Sequence, residues 1–353
     1  MIRHFKYIIL FFFLLHVNSN AQVCSYCSKK ITTNYITVEG LDFHPNHFLC
    51  ASCQKPIEGS FTKKDGKFFH KNCFDKNFGL KCDYCKKPIE GSFVDSEKGK
   101  FHKSCFNENI VEKCAVCNNS LIGEYVVDIH NMKYHKDHKD NLPICSNCNR
   151  IISSRTTKGG VKLEDDRSLC SLCFNSRLKT KTEYLDLLNK SIYKLSILGL
   201  KIDKKGISIE PVNKTQLNKV SDNSINSNTK GFCQSNYKFK EVNGKKEKFD
   251  QTHKIFVLDR LPEKYTESII VHELMHVWFH QNNTKKLPSK IVEGACNYMS
   301  YVYLKGEVDT KSKEVVLLLE NDPDPVYGEG FRDIKRRFES KSLNDLYEFL
   351  LNY

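Results

Sequence analysis

One spacing repeats five times through residues 24–173: a C-x2-C pair followed by a second pair of the form [HC]-x2-[HC]. The quartets are Cys24, Cys27, His44, His47; Cys50, Cys53, His70, Cys73; Cys82, Cys85, His102, Cys105; Cys114, Cys117, His135, His138; and Cys145, Cys148, Cys170, Cys173. The inner gap is 16 residues in the first three, 17 in the fourth and 21 in the fifth. A C-x2-C turn sets two thiolates on one side of a tetrahedral ion, and the second pair closes the other side. Fourteen of the 16 cysteines fall in this stretch, and all fourteen are used. A disulfide scaffold is the competing reading, and an exported chain would favour it. Six histidines stand at ligand positions, however, and a disulfide has no use for imidazole. The spacing predicts five structural Zn²⁺ ions.

A quartet of this kind limits what each segment can become. Units two and three are near copies: QKPIEGSF after Cys53 returns as KKPIEGSF after Cys85, with a period of 32. Each unit reads as two short hairpins, a cysteine knuckle and then an alternating strand, polar turn and strand entering the second ligand pair. Such a module has too little apolar mass to fold alone, and zinc would supply folding free energy of order 10 kcal/mol. Only Phe48 and Leu49 separate units one and two, so residues 24–73 resemble a LIM domain, with His47 and His70 where that family usually has Cys. The later units have longer joints and are LIM-like.

At 353 residues the chain is long enough for two to three domains. Residues 1–21 carry a basic start (Arg3, His4, Lys6), an apolar run from Tyr7 to Val17 and Ser19-Asn20-Ala21 before Gln22. That pattern predicts a signal peptide, with an uncleaved anchor as the alternative, and hence a secreted or periplasmic protein. No later segment is apolar enough to cross a membrane. The formal charge of +13 falls to about +9 once zinc thiolates and ions are counted. The lysines are scattered, without basic stripes or recognition-helix spacings, so a nucleic-acid partner is not expected.

After Cys173 the cysteines almost stop. Arg177–Leu198 has apolar residues at three- and four-residue steps and predicts an amphipathic helix. Ile207–Val212, Phe232–Val242 and Lys254–Asp259 predict strands, with a polar loop over Asn213–Lys230. Lys254–Leu258 is expected to be the sheet edge that pairs with an extended substrate.

The helix that follows carries His272-Glu273-Leu274-Met275-His276, with Thr266 as the expected N-cap. Histidines four apart share a helix face and can share one ion, while Glu273 is placed to take a proton from a water. A catalytic zinc needs a third protein ligand, and Glu293 on the next helix is the candidate. Asn297, one turn on, lies on the same face and can hydrogen-bond a zinc histidine. H-E-x-x-H followed by E-x-x-x-D is the gluzincin pattern; here Asn stands in place of Asp.

Five blocks in order carry a more specific resemblance: Thr229–Ser235, Ile255–Pro262, the H-E-L-M-H-V-W helix, Val292–Cys296 and Tyr327–Arg332. The chain is similar to the LIM-domain peptidases of the DA-one type, known from plants as ubiquitin-activated regulators of organ size. Their ubiquitin-interacting segments are not visible here. The resemblance implies an α+β chain: a LIM domain over 22–75, LIM-like zinc units over 80–176, and a small gluzincin-like peptidase domain over 177–353. It implies a sixth, catalytic Zn²⁺ on His272, His276 and Glu293, with Glu273 as base and a protein or peptide as substrate. Tyr327 or Arg332 would polarise the carbonyl or hold the oxyanion, and the array would bind substrate or an activating protein. Cys233 and Cys296 stand outside the array, as a disulfide or as ordinary buried thiols. The competing reading is a zinc-rich interaction scaffold with a relic peptidase domain; an intact His272, Glu273, His276 and Glu293 set argues for the enzyme.

Overall fold

The computed structural model describes residues 22–221, 229–242, 245–282, 284 and 286–353, with the backbone alone for 245–248. The expected signal peptide, the first half of the polar turn that Asn243–Lys246 predicts and the middle of the 213–230 loop lie outside these residues; Lys245 and Lys246, the other half of that turn, already belong to a strand. The chain is mixed α+β, with small zinc-binding modules ahead of a helical domain built on one sheet. One compact unit ends at Glu112 and the second spans Lys113–Tyr353.

Each module opens with an isolated antiparallel bridge across its knuckle: Val23 with Lys30, Leu49 with Pro56, Lys81 with Pro88, Lys113 with Ser120, and Ile144 with Ile151. The residue after the second cysteine takes a left-handed backbone in all five, with φ of 58° at Ser28, 58° at Gln54, 59° at Lys86, 66° at Asn118 and 60° at Asn149. One hairpin then delivers the second ligand pair: β1–β2 (Ile36–Val38, Leu41–Phe43), β3–β4 (Phe61–Lys64, Lys67–His70), β5–β6 (Phe93–Ser96, Gly99–His102), β7–β8 (Tyr125–Val127, Lys133–His135) and β9–β10 (Gly160–Lys162, Ser168–Cys170). The short joint between units one and two turns Phe48 inward. It is 3% exposed, and its ring centroid lies 5.3 Å from Phe61 and 5.1 Å from Phe68. One aromatic side chain thereby joins two modules that are each too small for a core.

In the second unit, α1 (Lys181–Ile197) starts on a capping box between Thr180 and Glu183. It is followed by β11 (Ile207–Val212), α2 (Lys214–Val220), β12 (Gly231–Val242), β13 (Lys245–Leu258), α3 (Glu263–Gln281), α4 (Ser289–Lys305), α5 (Thr310–Glu320), α6 (Tyr327–Phe338) and α7 (Leu343–Asn352). The sheet order is β11–β13–β12. This overturns the expectation that Lys254–Leu258 is an edge. β11 runs parallel along 253–258 on one side and β12 antiparallel on the other, so both ladders of this stretch are filled. The edge beside the helices is β12. Helix α3 is apolar nearly all round and is buried from Tyr265 to Phe279 on most faces. It begins at Glu263, behind Pro262, earlier than the expected Thr266 cap. Thr266 lies within the first turns, and its hydroxyl donates back to the Pro262 carbonyl at 3.1 Å.

The fifth zinc unit shares the core of these helices. Cys145, Cys148, Cys170 and Cys173 are 0% exposed and belong to one apolar cluster with Tyr184, Leu188, Leu261, Leu274 and Phe331. His130 of the fourth unit reaches the Cys148 carbonyl at 2.6 Å. No helix among the described residues is long and apolar enough to cross a membrane.

Candidate functional site

All five quartets come together as the spacing predicts. In each, the four ligand atoms lie within 4.8 Å of one another. All 16 cysteines are free, Cys233 and Cys296 among them, and the disulfide alternative is not seen for any. The orientation of the imidazoles is fixed by backbone. His70 Nε2 faces the Pro56 carbonyl at 3.0 Å, His102 Nε2 faces Pro88 at 2.9 Å and His135 Nε2 faces Ser120 at 3.2 Å. A carbonyl can only accept, so Nε2 carries the proton and Nδ1 is left to bind metal. Those Nδ1 atoms lie 3.3–3.5 Å from Cys53, Cys85 and Cys117. Burial opposes a thiolate at Cys24, yet backbone N–H groups of His44 and Cys27 draw its pKa down to about 5, and the same pattern brings Cys50, Cys82 and Cys114 to about 6.

A sixth cluster stands between α3 and α4. His272 and His276 are one turn apart on α3, with ring centroids 5.1 Å from each other. Glu293 on α4 points between them: its Oε2 is 3.1 Å from His272 Nε2 and 3.5 Å from His276 Nε2. Donors bound to one zinc at about 2.0–2.1 Å and tetrahedral angles stand roughly 3.3 Å apart, so these separations suit a shared ion. Two imidazoles and a carboxylate are also the donor types of three-ligand zinc sites.

Asn297 holds the first histidine. Its Nδ2 donates to the Tyr327 carbonyl at 3.2 Å, which turns Oδ1 toward His272 Nδ1 at 2.8 Å. His272 therefore carries its proton on Nδ1 and presents the Nε2 lone pair to Glu293 and the metal position. Here the imidazoles turn Nε2 toward the point they share with Glu293, the opposite nitrogen from the array. Burial opposes the charge of Glu293, but with no metal between them the imidazoles of His272 and His276, protonated on Nε2, hold the carboxyl far below the usual range.

Glu273 faces the other way, toward the sheet. It is 4% exposed and accepts the backbone N–H of Cys233; burial pushes its carboxyl up, against the pull of the two histidines. Gly231, at the start of β12, passes so close that a Cβ there would collide with Glu273 Oε1 and Ile269 Cγ2. Glycine is what lets the strand approach the glutamate. Helices α4 and α6 meet as tightly, since a Cβ on Gly294 would run into the Gly330 backbone.

Tyr327 is brought to the cluster. Its ring stacks on His272 at 6.1 Å and 22°, and burial together with Glu293 and Glu273 raises its phenol pKa. Arg332 is engaged elsewhere: its guanidinium donates to the carbonyls of Asp322 at 2.7 Å and Glu320 at 3.5 Å, which ties the loop before α6 to the end of α5. Motif spacing assigns no role to Gly231, to the Tyr327 carbonyl or to the contact of Cys296 with His276 at 3.7 Å. The signal for Gly231 was present, a lone glycine opening a strand pattern.

Comparison with known proteins agrees with this layout. Residues 24–78 match the LIM domain family, and residues 198–318 match the family described as DA1-like, Protein DA1, a stretch that holds α3 and Glu293. The chain is 28% identical over 192 residues to LIM domain-containing protein HDR3 of Oryza sativa subsp. japonica, covering 48% of this chain and 38% of that protein. It is 25% identical over 252 residues to Protein DA1 of Arabidopsis thaliana, covering 57% and 47%, and 25% identical over 268 residues to Protein DA1-related 7 of the same plant, covering 61% and 48%. The matches thus span less than half the length of each of these relatives.

Proposed function

From these likenesses and the geometry of the sixth cluster, we propose that the chain is an exported zinc-dependent endopeptidase. His272, His276 and Glu293 hold the catalytic ion and Glu273 is the general base. The observation that carries the reading is the convergence of three donors at zinc-ligand separation with a buried carboxylate one residue from the first histidine. Zinc, when bound, supplies Lewis acidity toward a water and a peptide carbonyl. The residues of the chain do the rest. Glu273, with its pKa raised by burial and its orientation set by the Cys233 N–H, takes the proton of the water and passes it to the leaving amine. The Tyr327 phenol, kept protonated by burial, is placed beside His272 to donate toward the developing oxyanion. An extended substrate adds to the outer edge of β12, whose first residues run past Glu273 and whose outer side bears no strand among the described residues.

In this reading the protein carries six Zn²⁺, five structural and one catalytic. The LIM and LIM-like modules bind the substrate protein or an activating partner. Glu273→Gln keeps the helix and both histidines, so zinc content should be unchanged while hydrolysis of a peptide library falls by about 10²–10⁴-fold. Hydrolysis at the wild-type rate by Glu273→Gln would sink the assignment.

A further inference from the structure

The five quartets are not equivalent in their surroundings. In units one to four only the first cysteine is buried, and the other three ligands are at least partly exposed. In unit five all four ligands are buried, and all four are cysteines. A zinc ion on four thiolates carries a net charge of about −2, which a core tolerates only beside cations and hydrogen-bond donors. They are present. Arg150 hydrogen-bonds with Cys148, and Lys230 and Lys311 are close enough to feel the charge of the quartet. Arg150 also pairs with Glu314 of α5.

The same unit grips the start of α3. Arg167 donates to the Asp259 carbonyl at 2.8 Å, to the Asp259 carboxylate, and to Asp165 at 2.9 Å. Asp165 in turn accepts the N–H of Lys214 at 2.8 Å. Just past Cys173, Arg177 bridges to Pro262, the residue that caps α3, and the Leu178 N–H bonds the Leu261 carbonyl at 3.0 Å. On the far side, Lys230, which feels the charge of the thiolates, is the residue before Gly231, and its carbonyl accepts the Leu258 N–H at 2.8 Å. A short path of non-covalent contacts therefore runs from the tetrathiolate to the strand that abuts Glu273.

We propose that zinc held by Cys145, Cys148, Cys170 and Cys173 braces the catalytic domain: the Asp259–Pro262 turn, the Lys230–Gly231 strand start and helix α3 are seated only when this site is metallated. Units one to four are free of that duty. The inference rests on reading the His272–His276–Glu293 cluster as the catalytic centre, but its test does not use hydrolysis. Without the ion, four thiols and three nearby cations remain in a core segment whose own large apolar residues are few, Ile151, Leu163 and Leu169 among them.

Hydrogen–deuterium exchange of the full zinc-loaded chain, read peptide by peptide, tests this. Cys148→Ser should raise exchange at least about tenfold in peptides covering 229–235 and 259–281 as well as in 145–173. Cys53→Ser, in unit two, should raise exchange around its own module and leave 259–281 at wild-type protection. An increase in Cys148→Ser confined to 145–173 overturns the proposal, as does an equal loss of protection at 259–281 in Cys53→Ser. If Cys148→Ser yields no folded protein, Arg167→Leu decides, because it leaves all four thiolates in place. Exchange at 259–281 raised at least about threefold supports the brace, and wild-type protection there overturns it. A protein that fails to cleave peptides yet shows the coupled exchange would count against the peptidase reading alone.

Discussion

Asn297 offers the sharpest test of the proposed sixth metal centre. It is 7% exposed and spans two groups, accepting from His272 Nδ1 at 2.8 Å and donating to the Tyr327 carbonyl at 3.2 Å. Asn297→Ala removes both bonds. The imidazole loses the acceptor that fixes its tautomer and plane, and loss of such a partner weakens zinc binding by about 10–100-fold, or ~1.4–2.7 kcal/mol. The Tyr327 carbonyl loses its side-chain donor as well, a cost to folding of about 0.5–1.5 kcal/mol. Asn297→Asp separates the two effects. A carboxylate accepts the His272 proton more strongly, so zinc affinity should hold, while its second oxygen meets the Tyr327 carbonyl and lowers the melting temperature. The assay is competition with a chromophoric chelator for the one zinc that His276→Ala fails to bind, alongside thermal melts. If Asn297→Ala keeps wild-type affinity for that ion, His272 is not held as described.

Three further outcomes follow from specific contacts. Gly231→Ala would press a methyl group against Glu273 and Ile269, so hydrolysis should fall at least about tenfold with zinc retained, read by steady-state kinetics and metal analysis. Glu267, buried in α3, holds Tyr303 at 2.7 Å, Lys264 at 2.8 Å and Lys190 at 3.1 Å. Burial opposes its charge, but these partners bring its folded pKa below the ordinary value, so its stabilisation is present at neutral pH and is lost as pH falls through that lowered pKa. Glu267→Gln should cost about 1–3 kcal/mol at pH 7, and the gap to wild type should narrow in denaturant titrations as pH falls below the ordinary glutamate range. Arg332→Ala releases the Asp322 and Glu320 carbonyls; it should lower the melting temperature, and hydrolysis per folded molecule should stay at the wild-type rate.

The five quartets were fully legible in the sequence because a chelate is a local object: ligand identity and spacing define it. The strands and α1 were legible for the same reason, since their periodicity is local. What escaped were matters of neighbourhood. Lys254–Leu258 carries the pattern of a strand, but nothing in that pattern says that β11 returns parallel to it and takes the edge. Thr266 looks like a cap until Pro262 is seen closing the turn before it. The zinc ligands of the array end at Cys173, and no local pattern says that the apolar cluster runs across that point from Cys145 to Leu350. Arg332 sits in a stretch resembling the DA-one family, and its partners are two backbone carbonyls that no motif encodes.

The left-handed residue after each C-x2-C turn bears on how such an array diversifies. Ser28, Gln54, Lys86, Asn118 and Asn149 are all exposed, and none is glycine. An L-residue loses about 1–2 kcal/mol in that conformation. Zinc binding to a module is worth on the order of 10 kcal/mol, enough to impose the turn on any side chain. Copies of one module can therefore drift at this tip while their ligands stay fixed. Five knuckles of one construction come to show a hydroxyl, three carboxamides of two lengths and a long cation to whatever approaches them.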